Sequence, residues 1–279
     1  MLSRRDFLSV MAFAAMPPLA AVNGTALLLR LSDRKLIVSN GLDAAATWRV
    51  PPGSTLKPLS LWALLESGKL NASDEYLCPG TLVLDGRNMT CTHPRTAVPM
   101  DISRAIAYSC NCAIAHFAER FAPAELPRFL RRLGLSSSSG LSNRPEAAGT
   151  FAPNLAGPPL QLQALGETSI EVTPLELLAA YAMLARRTRD LTVSPLLDGL
   201  EGAVEYGTAQ QAKLSGIRVA GKTGSVRDAS GAHLACFAGF APSRSPEVVT
   251  TVLVQGNSGG ADAAPIAGRL LRSYFATRA

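Results

Sequence analysis

The sequence has few charged and few aromatic residues, which make up 17% and 6% of its 279 residues, while hydrophobic residues make up 47%. Nothing in this composition suggests intrinsic disorder, which goes with low hydrophobicity and high net charge. No internal repeat is visible, and the arginines do not gather into the basic stripe of a nucleic-acid-binding module. The length therefore fits one large domain or two small ones with a sizeable core. The distribution of arginines gives no reason to expect a nucleic-acid partner.

Long apolar runs are also lacking, and no segment beyond the amino terminus is long enough to cross a membrane. At the amino terminus, Arg4 and Arg5 precede a short apolar run that ends at Met16, and small residues follow. This pattern predicts an export signal over residues 1–21, and the arginine pair resembles a twin-arginine signal. The cleavage position and an uncleaved anchor both stay open. We expect an exported protein of the periplasm or cell envelope.

The five cysteines are an odd number. Cys78 and Cys91 lie in a polar, turn-rich stretch, where an exported protein can close the loop with a disulfide, although two free thiols are the alternative. His93 lies near Cys91, but no fourth ligand appears at metal-binding spacing, so no metal site is predicted. The other three are predicted to be small core residues: Cys110, Cys112 and Cys236.

Three short motifs follow one another along the chain: Ser54-Thr55-Leu56-Lys57, Ser109-Cys110-Asn111 and Lys222-Thr223-Gly224. A serine hydroxyl is a weak nucleophile and needs an adjacent base. Lys57 lies one helical turn after Ser54 on the same face, so its amine is placed to serve as that base. The amine must be neutral to do so, and burial together with a second cation, Lys222, would lower its pKa. Each motif alone is common in proteins, and their combination suggests serine acyl transfer.

In this order the motifs match the S-x-x-K, S-x-N and K-T-G set, and the chain resembles the transpeptidase domain of penicillin-binding proteins over about residues 25–275. Two further stretches support the resemblance, namely Gly207-Thr208-Ala209 and the segment from Gly166-Glu167 to Thr173-Pro174-Leu175. Glu167 departs from the glutamine usual in that segment.

The resemblance implies a single domain over residues 22–279 with an α+β fold, in which an antiparallel sheet built from both chain ends packs against a mostly helical inserted region. The pattern of elements by itself indicates only α+β. Strands are predicted over residues 25–31, 35–39, 217–225, 233–241 and 248–255. Helices are predicted over residues 54–66, 102–121, 125–133, 173–184 and 261–274, with an irregularity expected near Ser109.

The resemblance also assigns catalytic roles. It implies that Ser54 is the nucleophile and Lys57 its base. Ser109 would relay a proton between Lys57 and the leaving amine, and Asn111 would bind the substrate amide and hold Lys57.

The lysine motif is read in the same way as a substrate-binding strand. Lys222 and Thr223 would bind the terminal carboxylate of the substrate, while Gly224 leaves room for its close approach. By resemblance, the backbone amides of Ser54 and Ser225 would form the oxyanion hole.

The activity implied is that of a penicillin-binding serine acyltransferase without a cofactor, acting on D-Ala-D-Ala peptidoglycan stem peptides through an acyl-enzyme at Ser54. D,D-transpeptidase and D,D-carboxypeptidase activity both stay open. Its expected partners are these peptides and, as covalent inhibitors, β-lactams. The net charge of +6 leaves open peripheral contact with the membrane or with cell-wall machinery.

A serine β-lactamase and a non-catalytic β-lactam-sensing or scaffold module are the alternatives. No E-x-x-L-N stretch, in which class A β-lactamases carry their deacylating glutamate, lies between Asn111 and Lys222. The remaining candidate glutamates occur in unlike contexts: Glu146, Glu167 and Glu171. Because all catalytic positions are intact, an inactive scaffold is disfavoured.

Overall fold

The structure, a computed structural model, describes residues 23–94 and 97–277, so the predicted export signal lies outside the described residues. Its elements follow in the order β1 (Gly24–Arg30), β2 (Lys35–Asn40), α1 (Leu42–Thr47), α2 (Lys57–Glu66), β3 (Val83–Leu84), β4 (Arg87–Asn88), α3 (Ile102–Ala107), α4 (Asn111–Ala118), α5 (Glu125–Arg132), β5 (Thr150–Phe151), α6 (Gly157–Ala164), β6 (Ile170–Glu171), α7 (Pro174–Ala185), α8 (Ser194–Glu205), β7 (Ala220–Arg227), β8 (His233–Ala241), β9 (Val248–Gln255) and α9 (Ala264–Ala276). Among these described helices, none has the length and apolarity needed to cross a bilayer.

Both ends of the chain contribute to one antiparallel sheet of five strands, in the order β2-β1-β9-β8-β7. The two ends meet where β1 pairs with β9, in a register that runs from Gly24 opposite Val254 to Arg30 opposite Val248. Helices α1 to α8 lie between these two halves of the sheet in sequence. The predicted α+β architecture is therefore confirmed.

The central strands are buried on both faces, which explains their nearly continuous apolar sequences. In β1, Leu27 and Leu29 join a core shared with the inserted helices, while Ala26 and Leu28 join a second core under α9. Successive side chains of a strand point to opposite faces, so this alternation places the sheet between two layers of helices.

The predicted helix over residues 102–121 is wrong, because the chain forms two helices there, α3 and α4. Ser109, between them, has a φ of 56°, in the left-handed region that interrupts a right-handed helix. Cys110 then caps α4, as its Sγ accepts a hydrogen bond from the Ala113 amide at 3.4 Å. The irregularity expected near Ser109 is thus confirmed.

The other predicted helices form with small changes at their starts. The segment Gly53–Thr55 is a 3₁₀ turn and α2 begins only at Lys57, while a π-helical turn precedes α9. Thr173 starts α7 with a reciprocal capping box to Glu176, as a Thr before Pro predicts.

The predicted disulfide between Cys78 and Cys91 is not formed, and all five cysteines are free thiols. The two sulfur atoms lie 3.7 Å apart, well beyond the length of about 2.05 Å of an S–S bond. Their separation reflects a larger cluster, in which Cys91 also contacts Cys110 and Cys112. Burial of Cys110, Cys112 and Cys236 is confirmed.

Candidate active site

Ser54 lies in the 3₁₀ turn Gly53–Thr55, called here the nucleophile turn, at the start of α2. Gly166 holds this turn from one side, since its carbonyl accepts a hydrogen bond from the Gly53 amide at 2.9 Å. A Cβ atom on Gly166, whose φ is +78°, would lie 2.2 Å from the Gly53 carbonyl oxygen. Tyr181, on α7, donates from its hydroxyl to the Thr55 carbonyl at 2.7 Å. The turn is therefore fixed from two sides, while Ser54 stays partly exposed.

Lys57 follows the nucleophile turn and is fully buried. Its Nζ donates to the Ser109 carbonyl at 2.9 Å, to the Ser109 hydroxyl at 3.1 Å and to the Asn111 side-chain oxygen at 2.6 Å. The break between α3 and α4 makes this possible, because it turns both the backbone and the side chain of Ser109 toward one amine. The predicted grouping of the first two motifs is thus present.

Burial lowers the pKa of Lys57 to about 8, partly opposed by the negative charge of Glu167. The desolvated amine is easier to deprotonate than an exposed lysine. Three acceptors match the three N–H bonds of an ammonium group. When Lys57 is neutral, one position carries a lone pair, and the Ser109 hydroxyl can reverse its role and donate to it. Lys57 and Ser109 thus form a path for a proton.

Lys222 lies on β7, the edge strand of the sheet, and is also fully buried. Burial and then the charge of Lys57 lower its pKa well below the usual range. The sequence predicted that Lys222 would lower the pKa of Lys57, but burial is what lowers it, and Lys222 is not among the main causes of that shift. The Lys222 Nζ donates to the Thr223 carbonyl at 3.0 Å.

Gly224 brings β7 against the nucleophile turn. A Cβ atom on Gly224 would lie 3.3 Å from the Pro52 carbonyl oxygen and 3.4 Å from the Ser54 amide nitrogen. The predicted close approach at this glycine is therefore present, and Ser225, the next residue, is exposed beside the turn.

Thr223 is held by a residue to which the sequence assigned no role. Its hydroxyl donates to the Thr208 hydroxyl at 2.8 Å, and the Thr208 amide donates to the Ala107 carbonyl, at the end of α3, at 3.2 Å. Thr208 belongs to the Gly207-Thr208-Ala209 stretch, so its place in a family-like motif was the only signal. It joins the lysine motif to the helix that precedes Ser109.

A cleft of about 560 Å³ opens beside the nucleophile turn and has Ser225 and Glu167 in its lining. Among the carboxylates that line this cleft, Glu167 is the one whose negative charge raises the pKa of Lys57. Burial in turn raises the pKa of Glu167. Arg87 also lines the cleft and counteracts that rise. The site thus offers a hydroxyl nucleophile, two buried amines and the carboxylate of Glu167, groups suited to general-base-assisted acyl transfer.

Comparison with known proteins agrees with this geometry. The family described as "Penicillin binding protein transpeptidase domain" matches residues 30–272. The chain is 26% identical over 266 residues to stage V sporulation protein D of Bacillus subtilis, covering 79% of this chain and 41% of that protein. It is 26% identical over 249 residues to the probable peptidoglycan D,D-transpeptidase PbpC of Pseudomonas aeruginosa, covering 77% of this chain and 44% of that protein. The chain thus spans less than half the length of these two relatives.

A solved structure shares the fold. The transpeptidase domain of penicillin-binding protein 3 from Burkholderia pseudomallei superimposes with a TM-score of 0.82 at 21% identity, covering 91% of this chain and 88% of that one.

Proposed function

The chain belongs to the family of penicillin-binding protein transpeptidase domains, and from this premise we propose that it is a serine D,D-acyltransferase acting on D-Ala-D-Ala peptidoglycan stem peptides. The single observation that carries the proposal is the contact of Lys57 with both Ser109 and Asn111, beside the turn that bears Ser54. Two motifs that are far apart in the sequence meet at this amine, and Gly224 places the third motif against the turn that bears Ser54.

The proposed reaction uses these groups in two steps. Lys57 takes the proton of the Ser54 hydroxyl as its oxygen attacks the carbonyl of the penultimate D-alanine. The amide C–N bond breaks, and Ser109 passes a proton to the amine of the departing D-alanine. The acyl-serine ester is then attacked by an amine, which forms a cross-link, or by water, which gives a shortened peptide.

Benzylpenicillin tests the first step, because opening of its β-lactam ring leaves a stable ester on the same serine. We expect intact-mass spectrometry to show one covalent adduct that maps to Ser54. Ser54→Ala should abolish the adduct, and Lys57→Ala should slow its formation by about 10²- to 10⁴-fold. Normal labelling of a folded Ser54→Ala protein would refute the assignment.

Hydrolysis of the acyl-enzyme is a second candidate, favoured by Glu167. This carboxylate lines the cleft with Ser225, and burial raises its pKa, which makes it a stronger base toward water. A D,D-carboxypeptidase would then be the outcome. Glu167→Gln should prolong the lifetime of the acyl-enzyme if Glu167 activates water, and an unchanged lifetime would favour transfer to an amine.

We also propose that the protein acts outside the cytoplasm, where peptidoglycan and β-lactams are found. The charged, apolar and small-residue order of residues 1–21 supports this proposal. Cell fractionation of the full chain and of an Arg4→Lys, Arg5→Lys variant tests it, since a twin-arginine signal should fail in the variant. Retention of both proteins in the cytoplasm would contradict export.

A further inference from the structure

Four of the five cysteines lie together beside the active site, although they come from two distant segments of the chain. The Cys91 Sγ lies 3.7 Å from that of Cys78, 3.8 Å from that of Cys110 and 3.5 Å from that of Cys112. Neither the disulfide predicted from the sequence nor a simple core role accounts for this convergence of thiols.

Three of these thiols and one histidine form a compact donor set. The sulfur atoms of Cys78, Cys91 and Cys110 and one imidazole nitrogen of His93 all lie within 4.8 Å of one another. A tetrahedral zinc site with Zn–S bonds of about 2.3 Å has S···S edges of about 3.8 Å. The Cys78–Cys91 and Cys91–Cys110 separations of 3.7 and 3.8 Å match such edges.

His93 supplies a second, independent observation. Its Nδ1 lies 2.9 Å from the Pro94 carbonyl oxygen, to which it can donate. Its Nε2 is buried, and within the described part of the chain it has no hydrogen-bond partner. A proton on Nδ1 leaves a lone pair on Nε2, which is the tautomer that a metal-binding histidine requires.

We propose that Cys78, Cys91, His93 and Cys110 bind one Zn²⁺ ion. Three thiolates and an imidazole suit zinc better than Mg²⁺ or Ca²⁺, which prefer oxygen ligands. Four protein ligands leave no open position, so the site is structural. The thiols release their protons to water on binding. The site could not be recognised from the sequence, because its fourth ligand, Cys110, is the middle residue of the Ser109-Cys110-Asn111 motif and lies apart from the other three along the chain.

The proposed ion would position the catalytic segment. Cys110 lies between the two residues that hold Lys57, and the Asn111 side-chain amide donates to the Thr90 carbonyl at 3.3 Å, next to Cys91. Zinc would therefore tie the loop that carries Cys78 and Cys91 to the turn that bears Ser109. Cys110 is a positioning residue in this arrangement.

Metal analysis of the purified, reduced full-length protein tests the proposal. We expect about one zinc ion per chain after dialysis against metal-free buffer, as structural sites bind tightly. Cobalt substituted for zinc should give the intense visible bands of a tetrahedral thiolate site. Cys78→Ser, Cys91→Ser, His93→Ala and Cys110→Ser should each lose zinc.

Two further cysteines provide matched controls. Cys112→Ser removes a thiol that contacts Cys91 but lies outside the donor set, and Cys236→Ser removes a buried thiol on β8. Both variants should keep the metal. Loss of zinc from Cys112→Ser alone, with His93→Ala unaffected, would overturn the ligand assignment. Because ligand variants can fail to fold, the zinc content of the unaltered chain decides the question first.

Two results would overturn the proposal. One is the absence of zinc from reduced protein that has been supplied with the ion. The other is a Cys78–Cys91 disulfide, found by peptide mapping of protein purified without reductant, that persists in the presence of zinc. Its effect on catalysis rests on the proposed function, and removal of zinc by a chelator should slow benzylpenicillin acylation by about tenfold or more. Zinc binding without any acylation would refute the proposed function and leave the site intact. Acylation by a protein that binds no zinc would refute only the site.

Discussion

Lys57 sets the expected pH dependence of the reaction at the scale of single residues. Its pKa is lowered from 10.5 to about 8, first by burial, while Glu167 and the nearby thiols of Cys91, Cys110 and Cys112 raise it. Only the neutral amine can accept a proton, so the acylation rate should rise with pH, with a midpoint near the pKa of about 8, and level off about one to two pH units higher. The rate of benzylpenicillin acylation, measured across this range, checks the prediction.

Glu167→Gln provides a second test of this pH profile. Because the carboxylate raises the pKa of Lys57, its removal should move the midpoint to lower pH. Lys222, the other buried amine whose pKa is coupled to the charge of Lys57, is unchanged in this variant. A rate that does not vary between pH 6 and 10 would show that another group is the base.

Thr208 offers a second prediction for one residue. Its hydroxyl is the partner of Thr223, and Thr208→Val removes the hydrogen bond while keeping the shape of the side chain. Loss of one such bond should slow acylation by about 3- to 10-fold. Thr208→Ser, which keeps the hydroxyl, should retain most of the rate. Equal rates in the two variants would mean that the contact does not orient Thr223.

At the scale of elements, the nucleophile turn depends on the segment before β6. Gly166→Ala would place a Cβ atom 2.2 Å from the Gly53 carbonyl oxygen, so the turn must move or the segment must withdraw. We expect acylation to be lost and the protein to be destabilised by about 1–3 kcal/mol. Acylation assays and thermal unfolding of the variant measure the two effects.

Gly216→Ala is the control for Gly166→Ala, because it distinguishes the effect of backbone strain from the effect of the steric contact. Gly216 has a φ of +75°, close to the +78° of Gly166, but no atom lies within 4 Å of its added Cβ. It should cost only the strain of a left-handed alanine, about 1 kcal/mol, and acylate normally. An equal loss of acylation in both variants would contradict the role of the Gly166 contact.

The elements also show what could be predicted from the sequence. The cap at Thr173 and the apolar strands β8 and β9 carry local signals, and these elements were predicted correctly. The break at Ser109 replaces one predicted long helix by two. Ser109 has a left-handed backbone conformation, and Lys57 donates hydrogen bonds to its carbonyl and hydroxyl. Helical periodicity cannot reveal this break, because it depends on a tertiary contact. The thiol cluster was missed because Cys110 approaches Cys91 only through folding.

At the scale of the whole molecule, the pairing of β1 with β9 joins the first and last strands along the chain. Substitutions on these two strands should therefore change the free energy of unfolding of the whole domain. Thr25 and Thr250 lie on these two strands, and both are fully buried. The Thr250 hydroxyl donates to the Leu27 carbonyl at 2.8 Å, whereas the Thr25 hydroxyl has no partner among the described residues. A buried hydroxyl without a partner loses its hydration and gains nothing in return.

Substitution by valine should therefore act in opposite directions at these two positions. Thr25→Val should raise the free energy of unfolding by about 1–2 kcal/mol, and Thr250→Val should lower it by about 1 kcal/mol. Valine matches the shape of threonine and suits a strand, so packing changes little in either case. Urea unfolding of both variants measures the difference, and acylation should be unchanged because neither residue touches the site. Destabilisation by Thr25→Val would mean that its hydroxyl is satisfied, by water or by residues beyond those described.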